Sequence, residues 1–588
     1  RCTAHRLAQP AVDHAFIAGR MTFMGFCVVR KAMRTNPKVI LAAGVLLVLL
    51  VAAVILMTRS SPALGASSIE GVVLDENGEP MAGATVRIQA TTNETLTDES
   101  GRFVLLGLEE GAPVTVSAWH YGYYCAKIEE VTPPAEGLTF TMRPYQTTDN
   151  PDYEWIPPIG ENSCASCKPE VTQIWLDNDA HAGSAANPRF LTMYNGTDVD
   201  GNQSPPTRFA YSRDYGSFPL PPDLSQPYYG PGYRLDFPST AGNCAACHTP
   251  GAAVDAPYGI DPNTATGADA LGVHCDFCHK VADVQLDPTT GLPYPNMPGV
   301  LSMDIRRPFP DDPERYQLFF GTFDDDNVPE EDTYLPLLEE SQFCAPCHFG
   351  VFWDTVIYNS YGEWLESPYS DPDTGQTCQN CHMPAPSILN GEILTNVAAG
   401  AGGVERDPMT LYPHTNPGAA SVELLQNTAE LHLTAERIGE EIHVTAEVTN
   451  ANAGHHIPTD SPLRQIFLIV TATDEAGNTL SLQEGPTLPD WAGDLAGENG
   501  VYFAMILQEL WTEITPTGAY WNPTRVLEDT RIPALETATS AYIFEAPEEG
   551  EVTIEAEMIF RRAFYALMQQ KGWDVPDILM ESETMNVP

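Results

Sequence analysis

Between residues 164 and 382 the chain repeats one short pattern. It reads Cys-x-x-Cys-His at Cys244–His248, Cys275–His279, Cys344–His348 and Cys378–His382, and once Cys164-Ala-Ser-Cys167-Lys168, where a lysine stands in for the histidine. Two cysteines three apart reach the two vinyl groups of a haem and form thioethers, and the adjoining histidine then meets the iron from the same turn. Zinc sites built from such units would join two Cys-x-x-Cys pairs and give no reason for a histidine after each one. The pattern therefore predicts covalently attached haem c, at Cys244 and Cys247, Cys275 and Cys278, Cys344 and Cys347, and Cys378 and Cys381. The altered copy keeps both cysteines, so Cys164 and Cys167 predict a fifth. Residues 150–418 are rich in Pro and Gly and poor in periodic apolar runs, too poor for a conventional core. Flat apolar haems would supply that core, which makes this a loop-and-helix multihaem domain.

The flanks read differently. Residues 66–145 and 419–588 alternate apolar and polar positions between turn signals such as "ENGEP" and "DESG", as in Ile442, Val444, Ala446, Val448 and Val552, Ile554, Ala556, Met558. Period-two alternation between turns predicts an all-β sandwich on each side, the second closed by a short helix around "RRAFYALMQQKGW". Near the start, Arg30, Lys31, Arg34 and Lys38 precede a run without charge from Val39 to Met57. That length spans a bilayer, and the basic flank holds residues 1–38 in the cytoplasm, so residues 39–57 are expected to be a transmembrane helix or signal anchor. The alternative is a signal peptide cleaved near "PALGASS". Either way the remainder lies outside the cytoplasm, periplasmic or at the cell surface, where haem attachment takes place. A net charge of -50 argues against nucleic acid as a partner and favours cationic or basic ones.

Four motif histidines, His248, His279, His348 and His382, are the expected proximal iron ligands, with Lys168 in that role at the altered copy. An iron that only carries electrons needs a sixth ligand as well. The candidates are His181, read as part of the helical stretch "VTQIWLDNDAHA"; His274, placed before Cys275 and pointing to a neighbouring haem; His414 in "LYPHTNPGA"; and His455 in "NAGHHIPTD". His456 is a weaker one. His432 and His443 read as strand residues facing solvent, His120 as a strand residue near the surface, and Cys125 as a buried thiol. Asp198, Asp200 and Asn202 open like a calcium loop but lack the closing Glu, and Asp324 to Asp326 form a carboxylate cluster. Calcium is the weakest cofactor reading, and solvated loops are the ordinary one.

Three resemblances add to this. "IEGVVLDENGEPMAGATVRIQA" and the text to Arg143 resemble the carboxypeptidase regulatory-like domain, a transthyretin-like β-sandwich that serves as a non-catalytic spacer or docking module. "CASCKPEVTQIWLDNDAHAGSAANPRF", "TCQNCHMP" and "AGHHIPTDSPLRQ" resemble the multihaem c-type cytochromes over roughly residues 150–588; their usual Gly-His-x-x-Pro-Thr-Gly has Asp460 for its last glycine here. The order of one Cys-x-x-Cys-Lys followed by four Cys-x-x-Cys-His is similar to the pentahaem ammonia-forming nitrite reductases, where the lysine-ligated haem has an open face for substrate.

The favoured reading is a membrane-anchored pentahaem cytochrome that passes electrons between redox partner proteins along mostly bis-histidine haems, with a histidine opposite Lys168. A terminal reductase of nitrite, hydroxylamine or a similar small substrate at the Lys168 haem is the alternative; any oxidoreductase catalysis would sit there. Against it, "CHKVADVQ" and "CHFGVFWD" lack the tyrosine of that family, while five attachment sites with four distal candidates favour it. A third reading is a subunit of a haem filament, a homo-oligomer or a larger electron-transfer complex.

Overall fold

A computed structural model describes residues 67–309, 317–325 and 331–588. The expected membrane span Val39–Met57, its flank and Asp326 lie outside the described residues. Among the described residues no helix is long and apolar enough to cross a membrane.

The first sandwich forms because alternate residues of short strands bury on one side. One sheet has the order Arg102–Leu108, Ser67–Asp75, Ala135–Met142, and the other Glu94–Leu96, Thr85–Ile88, Val114–Trp119, Ala126–Val131. Ile69, Val73, Phe103 and Phe140 from the first meet Val86, Val116 and Ala118 from the second in one buried cluster. Its turns are closed by aspartates: Asp98 accepts from the backbone N–H of Ser100 (2.8 Å) and Arg102 (3.0 Å). Gly101 follows at φ +70, where a Cβ would meet the Val73 carbonyl at 2.5 Å, so glycine is required there.

The C-terminal sandwich is larger. Its sheets run Glu430–Ile438, Glu441–Thr449, Thr537–Glu545, Leu482–Glu484 and Gly500–Phe503, Gln465–Asp474, Val552–Arg561, Ile578–Val587. The helix Tyr565–Lys571 lies where the sequence placed it. His432 is exposed on its strand and His443 pairs with Glu441 at 2.9 Å. His120 falls one residue past the strand Val114–Trp119.

Between the sandwiches the described residues form short helical turns, two-stranded ribbons and two longer helices, Pro169–Asn178 of 10 residues and Pro188–Asn195 of 8. Its apolar clusters are small, such as Ala245, Ala246, Phe277, Val281 and Ile305. Both flanks are pinned to it by hydrogen bonds. Trp119 Nε1 donates to Thr333 Oγ1 (3.1 Å), and the fully buried Lys571 Nζ donates to the carbonyls of Thr192, Thr197 and Pro231 at 2.6–3.0 Å.

The calcium reading does not fit these loops. Asp198 spends its carboxylate on the backbone and side chain of Asn202 (2.8 and 2.7 Å), Asp324 pairs with Arg87 (2.8 Å) and Asp325 with Arg406 (2.8 Å). No group of three or more carboxylate, His or Cys side chains able to hold a metal ion occurs among the described residues. Cys125 is buried, its Sγ 3.9 Å from the Phe323 carbonyl.

Candidate functional site

All five cysteine motifs line one cavity of about 2220 Å³. A site for a single small molecule occupies roughly 300–1,000 Å³, so this space suits several large guests. The motif cysteines form no disulfides. They instead bring the motifs together: the thiol of Cys164 contacts that of Cys275, Cys247 that of Cys347, and Cys344 that of Cys378. Within each contact the shared hydrogen bond, then burial, pushes one thiol up, Cys275, Cys347 or Cys344, and the same hydrogen bond holds its partner down against burial.

Most motifs sit on one helical turn, which puts the last residue beside its cysteines. Cys378–His382 is such a turn, capped by Thr377, whose hydroxyl takes the Asn380 N–H. His279 follows an equivalent turn at Cys275–Cys278, and His248 ends one at Ala245–His248.

Three motif histidines face a histidine from elsewhere in the chain. His348 faces His181 with ring centres 6.2 Å apart, His279 faces His414 at 6.2 Å, and His382 faces His455 at 6.4 Å. An imidazole nitrogen lies about 2 Å from a metal it binds and its ring centre roughly 3 Å away, so two imidazoles on opposite faces of one metal put their centres about 6 Å apart. The spacing fits an iron in each gap.

The other ring nitrogens support the same geometry. Nδ1 of His181 bonds Asp179 Oδ1 (2.9 Å), that of His279 the Phe320 carbonyl (2.5 Å), that of His414 the Tyr412 carbonyl (3.0 Å) and that of His455 the His456 carbonyl (3.0 Å). An Nδ1–H held by an acceptor fixes the tautomer that leaves Nε2 as the ligand. Burial pushes His279 and His382 down to about 4, keeping both neutral as metal ligation requires.

His348 uses a side chain for this purpose. Its Nδ1 lies 3.7 Å from Asp460, the residue that replaces glycine in the Gly-His-x-x-Pro-Thr pattern. Asp460 keeps the left-handed backbone of the glycine, φ +65. Burial works against its charge, but His348 holds the carboxyl down to about 2.

Two sequence expectations change. His181 is not in a helix: Pro169–Asn178 ends before it, and Asp179 takes both the backbone N–H and Nδ1 of His181 (2.8 and 2.9 Å), turning the ring to His348. His274 is fully buried with both nitrogens engaged. Its Nδ1 accepts from the Phe277 N–H (3.2 Å) and its Nε2 faces Asp269 (3.2 Å), so it caps the Cys275–Cys278 turn and presents no free nitrogen to a haem. This reverses the pattern of the paired histidines.

No described histidine therefore remains opposite Lys168 or His248. Lys168 precedes the helix Pro169–Asn178 and lines the cavity, within electrostatic reach of His279, His414 and the buried carboxylate of Asp332, one oxygen of which has no partner. His248 stacks flat on Phe190, ring centres 3.7 Å apart at 2°. His456 turns to Glu363 (3.6 Å).

Sequence reasoning missed three further features. Lys280 and Asp276 form a fully buried ion pair (2.7 Å) beside the second Cys-x-x-Cys-His, where Asp276 also takes the Tyr153 hydroxyl (2.9 Å) and the Ile156 N–H (2.8 Å). Tyr358 and Tyr520 meet edge to face at 5.5 Å on the cavity wall, and burial raises Tyr520 to about 12. Arg189, Arg464 and Arg562 line the same wall. The spacing of four from Asp276 to Lys280 was the available signal for the first; the other two join residues far apart in the chain.

No curated protein matches the chain. Among solved structures, a penta-haem cytochrome c552 from Thermochromatium tepidum is 20% identical, covering 74% of this chain and 100% of that one, with a TM-score of 0.49. A type II cohesin–X-dockerin complex from Acetivibrio cellulolyticus is 18% identical over 20% of this chain and 76% of that one, TM-score 0.12. Catechol 1,2-dioxygenase from Acinetobacter sp. ADP1 is 14% identical over 16% of this chain and 59% of that one, TM-score 0.12. Likenesses this slight carry no function. Residues 68–143, most of the first sandwich, match the carboxypeptidase regulatory-like domain.

Proposed function

We propose that residues 150–418, completed by loops of the C-terminal sandwich, hold five haems c through their cysteine pairs and pass electrons along them, outside a membrane to which Val39–Met57 anchors the chain. The observation that supports this best is the set of three imidazole pairs at 6.2–6.4 Å, each joining a motif histidine to one distant in sequence. Bound haem supplies the one-electron chemistry of its iron.

The residues do the rest. Each histidine pair would offer a metal one nitrogen donor from either side, an arrangement that would change little when an electron arrives. The contacts Cys164–Cys275, Cys247–Cys347 and Cys344–Cys378 set the first site beside the third, the second beside the fourth and the fourth beside the fifth, which supports short steps for transfer within each group. The acidic surface suits a basic redox partner.

A second reading is supported by the lack, among the described residues, of a histidine opposite Lys168 and His248: electrons arriving there would reduce a small molecule at the open position. Mass measurement of the purified protein is expected to give five covalent haems; four would leave Cys164–Lys168 unused. Low-temperature electron paramagnetic resonance is expected to show three low-spin bis-imidazole signals. The rings of His181 and His348 cross at 81° and those of His382 and His455 at 20°, so the first should give a large-g signal and the second a rhombic one. A wholly high-spin spectrum would sink the electron-carrier reading. Binding of cyanide by one or two haems, with turnover of nitrite or hydroxylamine, would favour the reductase.

A further inference from the structure

Wholly or partly buried arginines are commonly paired with carboxylates among the described residues. Arg307 bonds Asp149 and Asp255, Arg531 bonds Glu363 and Asp529, and Arg561 bonds Asp494 and Asp577, all at 2.6–2.8 Å. With 79 acidic residues against 29 basic ones, partners are plentiful. Arg189, Arg464 and Arg562 are the exceptions: none makes an ion pair or a side-chain hydrogen bond to a carboxylate among the described residues.

The fold brings these three together. Arg189 opens the helix Pro188–Asn195, Arg464 ends the loop that carries His455 and Asp460, and Arg562 follows the strand Val552–Arg561. Met193, one turn on from Arg189, and Leu463 and Ala563, beside the other two, belong to a single buried apolar cluster. All three arginines line the cavity. Nη1 of Arg189 and Nε of Arg562 are buried without a hydrogen-bond partner, while Arg464 Nη1 donates to the Thr459 carbonyl of its own loop (3.0 Å). Asp460, in the same loop as Arg464, is turned to His348. Burial, then the neighbouring cations, lower Arg189 to about 10, and the same causes lower Arg562.

A buried guanidinium nitrogen with no acceptor, as at Arg189 and Arg562, is costly, and the mutual repulsion of three neighbouring cations adds to it. An anion relieves both terms, and the planar N–H fork best matches an anion presenting two oxygens in a plane. We propose that Arg189, Arg464 and Arg562 form a binding site for a carboxylate-type anion on the cavity wall beside His248. The position follows from Phe190, next in chain to Arg189, which stacks on the His248 ring. Two sources share this chemistry: a carboxylate arm of a haem attached at Cys244 and Cys247, or a free small oxoanion. The first rests on the haem reading above; the second does not.

The test uses the full-length haem-loaded protein and its Arg189→Gln, Arg464→Gln and Arg562→Gln variants, with covalent haem measured by mass on each sample. Nitrate, a planar oxoanion that ligates ferric haem poorly, is the calorimetric probe. Saturable nitrate binding that weakens at least tenfold in each variant, with haem potentials unmoved, assigns the site to a free anion. No nitrate binding, with one haem potential lowered in each variant because a cation that favoured the ferrous state has gone, assigns it to a haem carboxylate. Variants unchanged in both readings overturn the proposal. If a glutamine variant fails to accumulate, the lysine variant keeps the charge but loses the fork, and it must show the same shift in smaller measure; an unchanged lysine variant also overturns it. Absence of haem on the mass measurement removes the first source and the haem reading together, while the nitrate arm still decides the second.

Discussion

The C-terminal sandwich and the region of cysteine motifs before it are packed on opposite principles. In the sandwich both sheets contribute to one buried cluster, from Leu433 and Ile442 through Phe467-flanking Ile466 and Leu468 to Phe544, Ile554 and Met558. The motif region has only small separate clusters around a cavity of about 2220 Å³ lined by cysteines and histidines. The sandwich closes on its own side chains, whereas the motif region encloses a cavity that, on the proposed reading, haems fill as guests. Burial of apolar side chains stabilises by about 25 cal/mol per Å² removed from water, so a region that leaves its walls unfilled forgoes that stabilisation until the guest is bound.

The largest expected effect comes from withholding the guest. Protein made without haem attachment, or with Cys275 and Cys278 both changed to Ser, should be cut by protease throughout residues 150–418 while residues 430–588 stay protected. Equal resistance of both regions would break the comparison. The converse is Phe544→Ala. Phe544 is fully buried between the sheets, and its loss should cost about 3–5 kcal/mol of sandwich stability. Urea unfolding followed by tryptophan fluorescence and by haem absorbance should show the sandwich melting first. A shift of both transitions by the same amount would mean that the two regions unfold as one.

Within the motif region, His414 and His274 sharpen the comparison. His414→Ala should turn one low-spin haem high-spin at unchanged haem content. His274→Ala should leave every spin state alone and cost roughly 1 kcal/mol through the lost cap on the Cys275–Cys278 turn. Absorption spectra near room temperature separate the two outcomes, and a spin change in His274→Ala would restore that residue as a ligand.

The sandwiches were legible in sequence because period-two alternation is local: Ile442, Val444, Ala446 and Val448 announce their own burial. The cysteine motifs and the short turns they form were legible for the same reason, since a turn fixes residues three and four apart. Distal partners are a matter of tertiary approach. His414 and His455 were found as histidines left over, but His274 looked equally available until Asp269 and the Phe277 N–H engaged both its nitrogens. The arginine cluster had no local signal at all, its members lying at positions 189, 464 and 562.

Asp460 gives the smallest effect and links the two regions, since a loop of the sandwich here places a carboxylate beside a histidine of the motif region. Its φ of +65 is a conformation that glycine adopts freely, so Asp460→Gly should relieve about 1 kcal/mol of backbone strain. The same change removes the carboxylate facing His348 Nδ1. In the unfolded chain an aspartate titrates near about 3.9, and in the fold Asp460 is held down to about 2. Its electrostatic contribution is therefore complete above about pH 4 and disappears as pH falls through about 2, so the variant should lose the corresponding part of its acid sensitivity. An acceptor at Nδ1 also makes the imidazole a stronger donor to a ferric iron. Without it the potential of the haem at Cys344 and Cys347 should rise while the others stay in place. Spectroelectrochemical titration of wild type and Asp460→Gly measures this, and an unchanged set of potentials would show that Asp460 serves only to shape its loop.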